Sequence, residues 1–419
     1  MTADEATPDL AEGALARLTF AKGVVNTALR WVPPFLPTLE RAFGASTTQL
    51  TTVLGVSEMA GLSTVAIGRQ LDRGRERLVV TLGIVCTTVA SLVALVGTTF
   101  AFAIGSVLVV LGVANVTVAG HTFIGRRVAY QRRGRAIGLF ETSWALALLI
   151  GAPTIALLIN RFGWRGPYVA LALLSTFAAF VVARSPALRA APPVDDAHVV
   201  DTAIVDPVTA AAPDTVEPGG LLASMTARAW LVVFGSAFIA MCGLSVFAIS
   251  GSWLDDAFGV PTAGLGAVAM GFGAVELMSS VASATFADRL GKLRSTVAAL
   301  ALTLVGAGVM SFADESLTVG VVGILVFLCG FEFAIVTSFS LVSEVRPSAR
   351  GATIALSNGI GTVARGTGTI VGGWLYGVHG VGGTLTMSAT AGLLAGILLL
   401  LSRRRGSVDL DEAEHVGRS

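Results

Sequence analysis

Twelve apolar runs, each long enough to cross a bilayer, constrain this 419-residue chain more than any other feature. They fall near residues 15–37, 48–68, 77–97, 99–124, 134–159, 164–183, 228–254, 262–287, 294–312, 316–342, 350–376 and 381–402. A hydrocarbon core about 30 Å thick takes about 20 apolar residues in helical form, so each run predicts one membrane-spanning α-helix. Composition agrees: 13% of residues are charged, against roughly 25% in a soluble domain, and the mean hydropathy is +0.78. A chain so poor in charge cannot cover the surface of a water-soluble globule, and an all-α membrane protein is expected.

One long polar stretch interrupts the runs. Residues 184–227 interleave Pro186, Pro192, Pro193, Pro207, Pro213 and Pro218 with Asp195, Asp196, Asp201, Asp206, Asp214 and Glu217. Such a segment buries too little apolar area to fold and reads as a flexible linker. The expected organisation is an N-terminal tail (1–14), a six-helix bundle (15–183), the linker (184–227), a second six-helix bundle (228–402) and a C-terminal tail (403–419). The tail at the start is acidic, the reverse of a secretory signal, so no cleavage is expected.

Loops on the linker's side carry most of the basic residues, among them Arg73, Arg75, Arg126, Arg127, Arg132, Arg289, Lys292 and Arg403, whereas the opposite loops hold Arg41, Arg161 and Arg165. By the positive-inside rule the linker and both termini are cytoplasmic, in a multi-pass protein of the cell's inner membrane. The net charge of +1 offers no basic stripe, which argues against a nucleic-acid partner. Cys86, Cys242 and Cys329 lie singly in apolar runs, so neither a disulfide framework nor a metal site is indicated. No GxSxG, HExxH or P-loop pattern occurs, which argues against an enzyme or an ATP-driven pump.

The two halves repeat. LERAFG at Leu39–Gly44 is echoed by LDDAFG at Leu254–Gly259, GRQLDRGR at Gly68–Arg75 by ATFADRLGK at Ala284–Lys292, and RGRAIG at Arg133–Gly138 by RGATIA at Arg350–Ala355, at offsets of 215 to 217 residues. Six spans per unit preserve orientation, so the repeats are parallel.

Gly68, Asp72, Arg73 and Gly74 between spans two and three, with Asp288, Arg289 and Gly291 between spans eight and nine, resemble the signature loop of the major facilitator superfamily. The first copy lacks one residue between Arg73 and Gly74, and the second has Ala284 in place of the leading glycine. The resemblance covers residues 15–402 and implies two six-helix repeats related by an axis along the membrane normal. It also implies a latch, in which Asp72 faces the helix start near Arg350 and Asp288 the start near Arg133 and Arg135; the bland alternative is a charged turn that only sets topology. FETSWALALLIGAP at Phe140–Pro153 and GWRGPYVAL at Gly163–Leu171 resemble bacterial drug and sugar efflux members, which are proton antiporters. That group carries a glycine-rich stretch ending in Gly-Pro in span five, where this chain has Gly151, Ala152 and Pro153.

Ionisable residues inside spans mark the candidate mechanism: Arg30, Glu58, Glu141, Glu276, Glu332 and Arg365, with His121 nearer the cytoplasmic end of span four. Six such charges facing lipid would cost on the order of 15 to 20 kcal/mol, more than a fold stable by roughly 5 to 15 kcal/mol tolerates. They must face the interior, pair or lose their charge. Depth along the spans sets Arg30 beside Glu58, Glu332 beside Arg365, and His121 with Glu141 in one half of the bilayer, while Glu276 has no obvious partner in the sequence. Glu58 and Glu276 lead as proton-coupling candidates, followed by Glu141 and Glu332; the alternative is that the pairs lock helices together, and His121 reads as a packing histidine or a proton relay. The family resemblance implies that spans one, four, seven and ten line a cavity, which nominates Asn26, Arg30, Trp31, Phe35, Asn115, His121, Ser245, Phe247, Ser250, Trp253, Phe331 and Glu332 as lining residues. Pro33, Pro34 and Pro37 would end or kink span one.

The expected function is secondary active transport of a small organic solute by alternating access, as proton-coupled efflux. Alternatives are a symporter or facilitator for uptake and, from another class, a non-transporting receptor. No cofactor is expected beyond a proton gradient as energy source, and no partner beyond the solute and the lipid, with a monomer as the working unit.

Overall fold

The computed structural model describes residues 6–185, 188, 225–314, 316–346 and 349–416. Most of the sequence-predicted linker therefore lies outside the described residues, as do the first five residues and the last three. The described chain is helical, with no strand among its elements. In order these are α1 (Ala6–Arg30), α2 (Leu36–Phe43), α3 (Thr47–Glu58), α4 (Thr64–Asp72), α5 (Glu76–Ala94), α6 (Thr99–Arg127), α7 (Tyr130–Leu149), α8 (Gly151–Phe162), α9 (Arg165–Ala183), α10 (Ala227–Phe258), α11 (Thr262–Leu290), α12 (Lys292–Ser311), α13 (Leu317–Glu344) and α14 (Arg350–Val416). Among the described residues nine helices are long and apolar enough to cross a membrane, the last being Arg350–Arg403. Runs one and two of the sequence are helical as well, as α1 and as α3 and α4 joined by a 3₁₀ segment over Met59–Ser63.

Local chemistry sets the helix ends. Ser46 and Gln49 form a capping box at the start of α3, and the hydroxyls of Thr98 and Ser316 accept the backbone N–H of Ala101 and Val319 at the starts of α6 and α13. Span one stops at Arg30, and Pro33–Phe35 form a 3₁₀ turn before α2. Span five, expected as one helix, breaks at Ile150, because Pro153 has no N–H to give the Leu149 carbonyl.

The backbone repeats the sequence echo more sharply than the side chains do. Among the described residues, left-handed φ values occur at Gly44, Gly74, Gly97 and Gly163, and again at Gly259, Gly291, Asp314 and Gly380. The paired positions are 215 or 217 residues apart. Gly380 (φ 64) divides α14 as Gly163 (φ 68) divides α8 from α9. Each is a turn that ends a helix, where glycine meets no Cβ penalty.

The chain divides into two compact units, one of Met1–Thr209 with Ile249–Ala274 and one of Ala210–Ala248 with Val275–Ser419. In the first, α1 packs on α6, α7 and α9, and α5 on α6 and α9, around Leu18, Val25, Ile84, Val116, Phe123 and Phe140. In the second, α12 lies along α13. Small residues bring backbones together in both. A Cβ on Gly112 would lie 2.5 Å from Thr87 Oγ1, and one on Gly330 2.7 Å from Thr303 Oγ1.

Candidate functional site

Lys22, Asn26 and Arg30 stand four residues apart on α1, which places them on one face of the helix. That face meets Phe140, Glu141, Ser143 and Trp144 of α7 and His121 of α6. Lys22 Nζ donates to Glu141 Oε1 at 2.5 Å, Asn26 Nδ2 to Ser143 Oγ at 3.2 Å, and Arg30 Nη1 to the Trp144 carbonyl at 2.8 Å. The Arg30 guanidinium also lies 4.3 Å from the centre of the Trp144 ring. His121 Nε2 approaches Glu141 Oε1 at 2.8 Å. The result is a polar ladder running along α1.

Burial makes the ladder energetically significant. Lys22 is 2% exposed and Asn26 fully buried, whereas the Glu141 side chain is 44% exposed. A buried ammonium is tolerable only when paired, and here one carboxylate oxygen serves both Lys22 and His121. The Phe140 ring sits between the two bases: Lys22 Nζ is 4.2 Å from its centre and His121 meets it edge-on at 5.4 Å. Gly120 admits that ring, since a Cβ there would lie 2.1 Å from Phe140 Cζ. Ser143 gives its hydroxyl hydrogen to the Phe140 carbonyl, so it can only accept from Asn26, which fixes the amide orientation. Asn26 Oδ1 and His121 Nδ1 are then buried acceptors with no hydrogen-bond partner among the described residues.

The structure brings His121 and Glu141 together and adds Lys22, which the reading of interior charges passed over although it lies within the first run. Its signal was the four-residue spacing to Asn26 and Arg30. Glu58 ends α3, half-buried. Trp31 is fully buried and edge-on to Tyr168 at 5.2 Å, and it contacts Phe35. Asn115 packs where a Cβ on Gly83 of α5 would lie 2.9 Å from its own Cβ. Ser250 and Trp253 are buried near the end of α10.

In the second unit, Glu332 accepts from Ser280 Oγ at 3.0 Å, and Ser283 and Thr337 bond at 2.8 Å, which links α11 to α13. Glu276 is 4% exposed and is not isolated. Arg365 donates to Thr362 on its own helix at 3.0 Å. Ser245, Phe247 and Phe331 are buried, with the Phe331 ring against Gly243.

The signature loops form turns. Gly68 lies in α4, which ends at Asp72; Arg73 and left-handed Gly74 follow, and the Gly74 N–H returns to the Leu71 carbonyl at 2.8 Å. Arg126 donates to that same carbonyl at 2.6 Å and to Glu76 at 2.7 Å. In the second copy Asp288 and Arg289 are exposed, Gly291 is left-handed, and Lys292 bonds Asp288 at 3.1 Å and Glu344. Arg133 and Arg350 donate to the nearby carbonyls of Val128 and Ser343.

A further polar cluster joins the two copies of the LERAFG echo within the first unit. Glu40 accepts from Ser252 at 2.7 Å and from Thr47 at 2.9 Å, and Arg41 donates to Asp255 at 2.6 Å. Burial raises the Glu40 carboxyl above its ordinary range, the Ser252 and Thr47 hydroxyls pull it back, and the Asp256 and Asp255 carboxylates push it up again.

The sequence profile of the Major Facilitator Superfamily matches residues 18–345 and, in a second match, residues 233–418. The chain belongs to the major facilitator superfamily. Its similar relatives include the uncharacterized MFS-type transporter YwfA of Bacillus subtilis, 22% identical over 89% of this chain and 88% of that protein. An MFS-type efflux pump of Mycolicibacterium smegmatis is 26% identical over 66% of this chain and 61% of that protein. Solved facilitator structures share the fold. A D-xylose-proton symporter superposes with a TM-score of 0.75 at 15% identity, covering 92% of this chain and 96% of that one. A bacterial homolog of the human lysosomal transporter Spinster, inward-facing and occupied, gives 0.70 at 14% identity over 93% and 96%. As a facilitator, the chain is a multi-pass membrane transporter acting on small molecules.

Proposed function

We propose that this facilitator exports a small organic solute in exchange for protons. The observation that carries the reading is the Lys22–Glu141–His121 cluster, in which ionisable groups are held inside a membrane-embedded helical unit and the carboxylate remains partly open. Burying a charge cluster in a membrane-embedded unit costs stability, so its presence points to a function, and an imidazole is the side chain whose ordinary protonation range lies near physiological pH. Export as the direction draws on the likeness to the mycobacterial efflux pump. Uptake with protons is the second reading, favoured by the span-five break at Ile150–Gly151 with Ala152 where the efflux pattern expects glycine.

In this reading the protein has twelve spans with both termini on the cytoplasmic side of the inner membrane, works as a monomer and draws on the proton gradient alone. Glu58, Glu276 and Glu332 are the further proton-carrying candidates, with Arg30 as the basic neighbour of Glu58 and Arg365 of Glu332. Asp72 and Asp288 act as latches on the helix starts near Arg350 and Arg133. Reconstitution in proteoliposomes with an imposed pH gradient and a panel of labelled solutes tests it. Solute movement opposed to proton flow supports export by antiport, movement with proton flow supports the symport reading, and gradient-independent movement removes proton coupling.

A further inference from the structure

Lys22 and His121 both reach the same oxygen, Glu141 Oε1, at 2.5 and 2.8 Å. A carboxylate oxygen accepts more than one hydrogen bond, yet its single negative charge can neutralise only one cation fully. With His121 neutral, its Nε2–H donates to Glu141 and its Nδ1 lone pair is a buried acceptor without a partner among the described residues. In that state Lys22 holds the charge of Glu141. A proton arriving from water at Nδ1 turns His121 into an imidazolium, and the carboxylate is then shared between two full cations.

We propose that Lys22 and His121 compete for Glu141, and that protonation of His121 displaces the Lys22 ammonium from the carboxylate. Lys22 is thereby the residue that converts a proton on α6 into a movement on α1. The Phe140 face, already 4.2 Å from Nζ, receives the displaced ammonium. The 44% exposure of the Glu141 side chain gives water a route to the cluster, whereas Lys22 is sealed at 2%. The ionisable groups on the elements packed around the cluster are Lys22 and Arg30 on α1, Glu141 on α7, Glu58 at the end of α3, which packs on α6, and Arg126 at the nearer end of α6, where it pairs with Glu76 of α5. Lys22 bonds the same carboxylate oxygen that His121 approaches. The inference rests on the proton-coupled reading for its purpose, but the exchange itself is measurable without transport.

The chain contains two lysines, Lys22 and Lys292, so ¹⁵Nζ-lysine labelling of the full-length protein in detergent gives two side-chain signals. K292R identifies the Lys22 signal as the one that persists. The expected result is a Lys22 ¹⁵Nζ signal that shifts with pH at the same midpoint as the His121 ring signals. H121Q keeps a donor to Glu141 but cannot gain the proton, and is expected to abolish the shift. Titration of the His121 ring with a stationary Lys22 signal overturns the exchange and leaves the proton-coupled reading standing, since that reading is judged by the proteoliposome assay. If H121Q does not fold, the comparison of the two midpoints in the unsubstituted histidine background decides alone: different midpoints overturn the proposal.

Discussion

Glu76 at the start of α5 pairs with Arg126 at the end of α6 at 2.7 Å, and in the second repeat Lys292 at the start of α12 pairs with Glu344 at the end of α13, with the charges exchanged. The same joint between neighbouring helices is closed in both halves, by opposite polarities. Removing one partner of the first pair leaves a charge that is buried, since the Glu76 side chain is 5% exposed. R126M is therefore expected to cost about 3 to 5 kcal/mol, read as loss of thermal stability in detergent. The exchanged double variant E76R/R126E should recover most of it. K292M, at a pair that is 24% and 53% exposed, should cost less than about 1 kcal/mol. Equal losses at both sites would contradict the burial difference.

The Glu40 cluster gives a pH dependence whose sign follows from its environment. Its carboxyl is raised in the folded chain, so the folded state binds more protons than the unfolded one between the ordinary value of 4.5 and the raised one. Stability from this group is present at low pH and is lost as pH rises through that window. E40Q keeps an acceptor for Ser252 and Thr47 without the ionisation, and should flatten the stability profile over the window while raising stability above it. Melting curves across pH check this; a profile identical to that of the parent chain would refute it.

Gly120 is dictated by the Phe140 ring rather than by its backbone conformation. G120A forces the ring away from both Lys22 and His121, at a cost of about 1 to 3 kcal/mol for overpacking. Pairing it with F140A removes the clash, so the double variant should be more stable than the sum of the two single losses. Additive losses in thermal unfolding would show that the ring and the glycine do not meet.

Asp314 is the one described residue other than glycine with a positive φ, 35°, at the position where the first repeat has Gly97. D314G should raise stability, by up to about 1 kcal/mol, because glycine takes this conformation without Cβ strain. G74A should lower it by about 1 to 2 kcal/mol. Opposite signs in the two melting shifts are the expected result.

Hydropathy is a local property, so the apolar runs could be read residue by residue: among the described residues nine helices are long and apolar enough to span, while the second run is interrupted by a 3₁₀ segment and the fifth at Ile150. The turns of the signature loops were legible because Gly74 and Gly291 stand in recognisable strings. Rotation of each helix about its axis was not. Trp31 is buried against Tyr168 and Asn115 packs beside Gly83, so neither contact follows from knowing that the residue lies in span one or span four. The four-residue spacing of Lys22, Asn26 and Arg30 put Lys22 on a polar face, but its partner, 119 positions away on another helix, could not be read from the sequence. The kink at Ile150 was signalled by Pro153, and the 3₁₀ break in the second span had no sequence signal beyond Gly61.

From Gly74 onward the left-handed turns keep the same intervals in both repeats: 23 residues separate Gly74 from Gly97 and Gly291 from Asp314, and 66 separate Gly97 from Gly163 and Asp314 from Gly380, whereas Gly44 to Gly74 is 30 and Gly259 to Gly291 is 32. Side chains between them have diverged to the point of exchanging charge, yet from Gly74 onward the spacing is the same in both repeats. Hydrocarbon thickness sets helix length, so the bilayer acts as a common ruler on the two repeats. A thinner or thicker bilayer then strains both repeats to a similar extent, and neither can relieve the mismatch at the expense of the other.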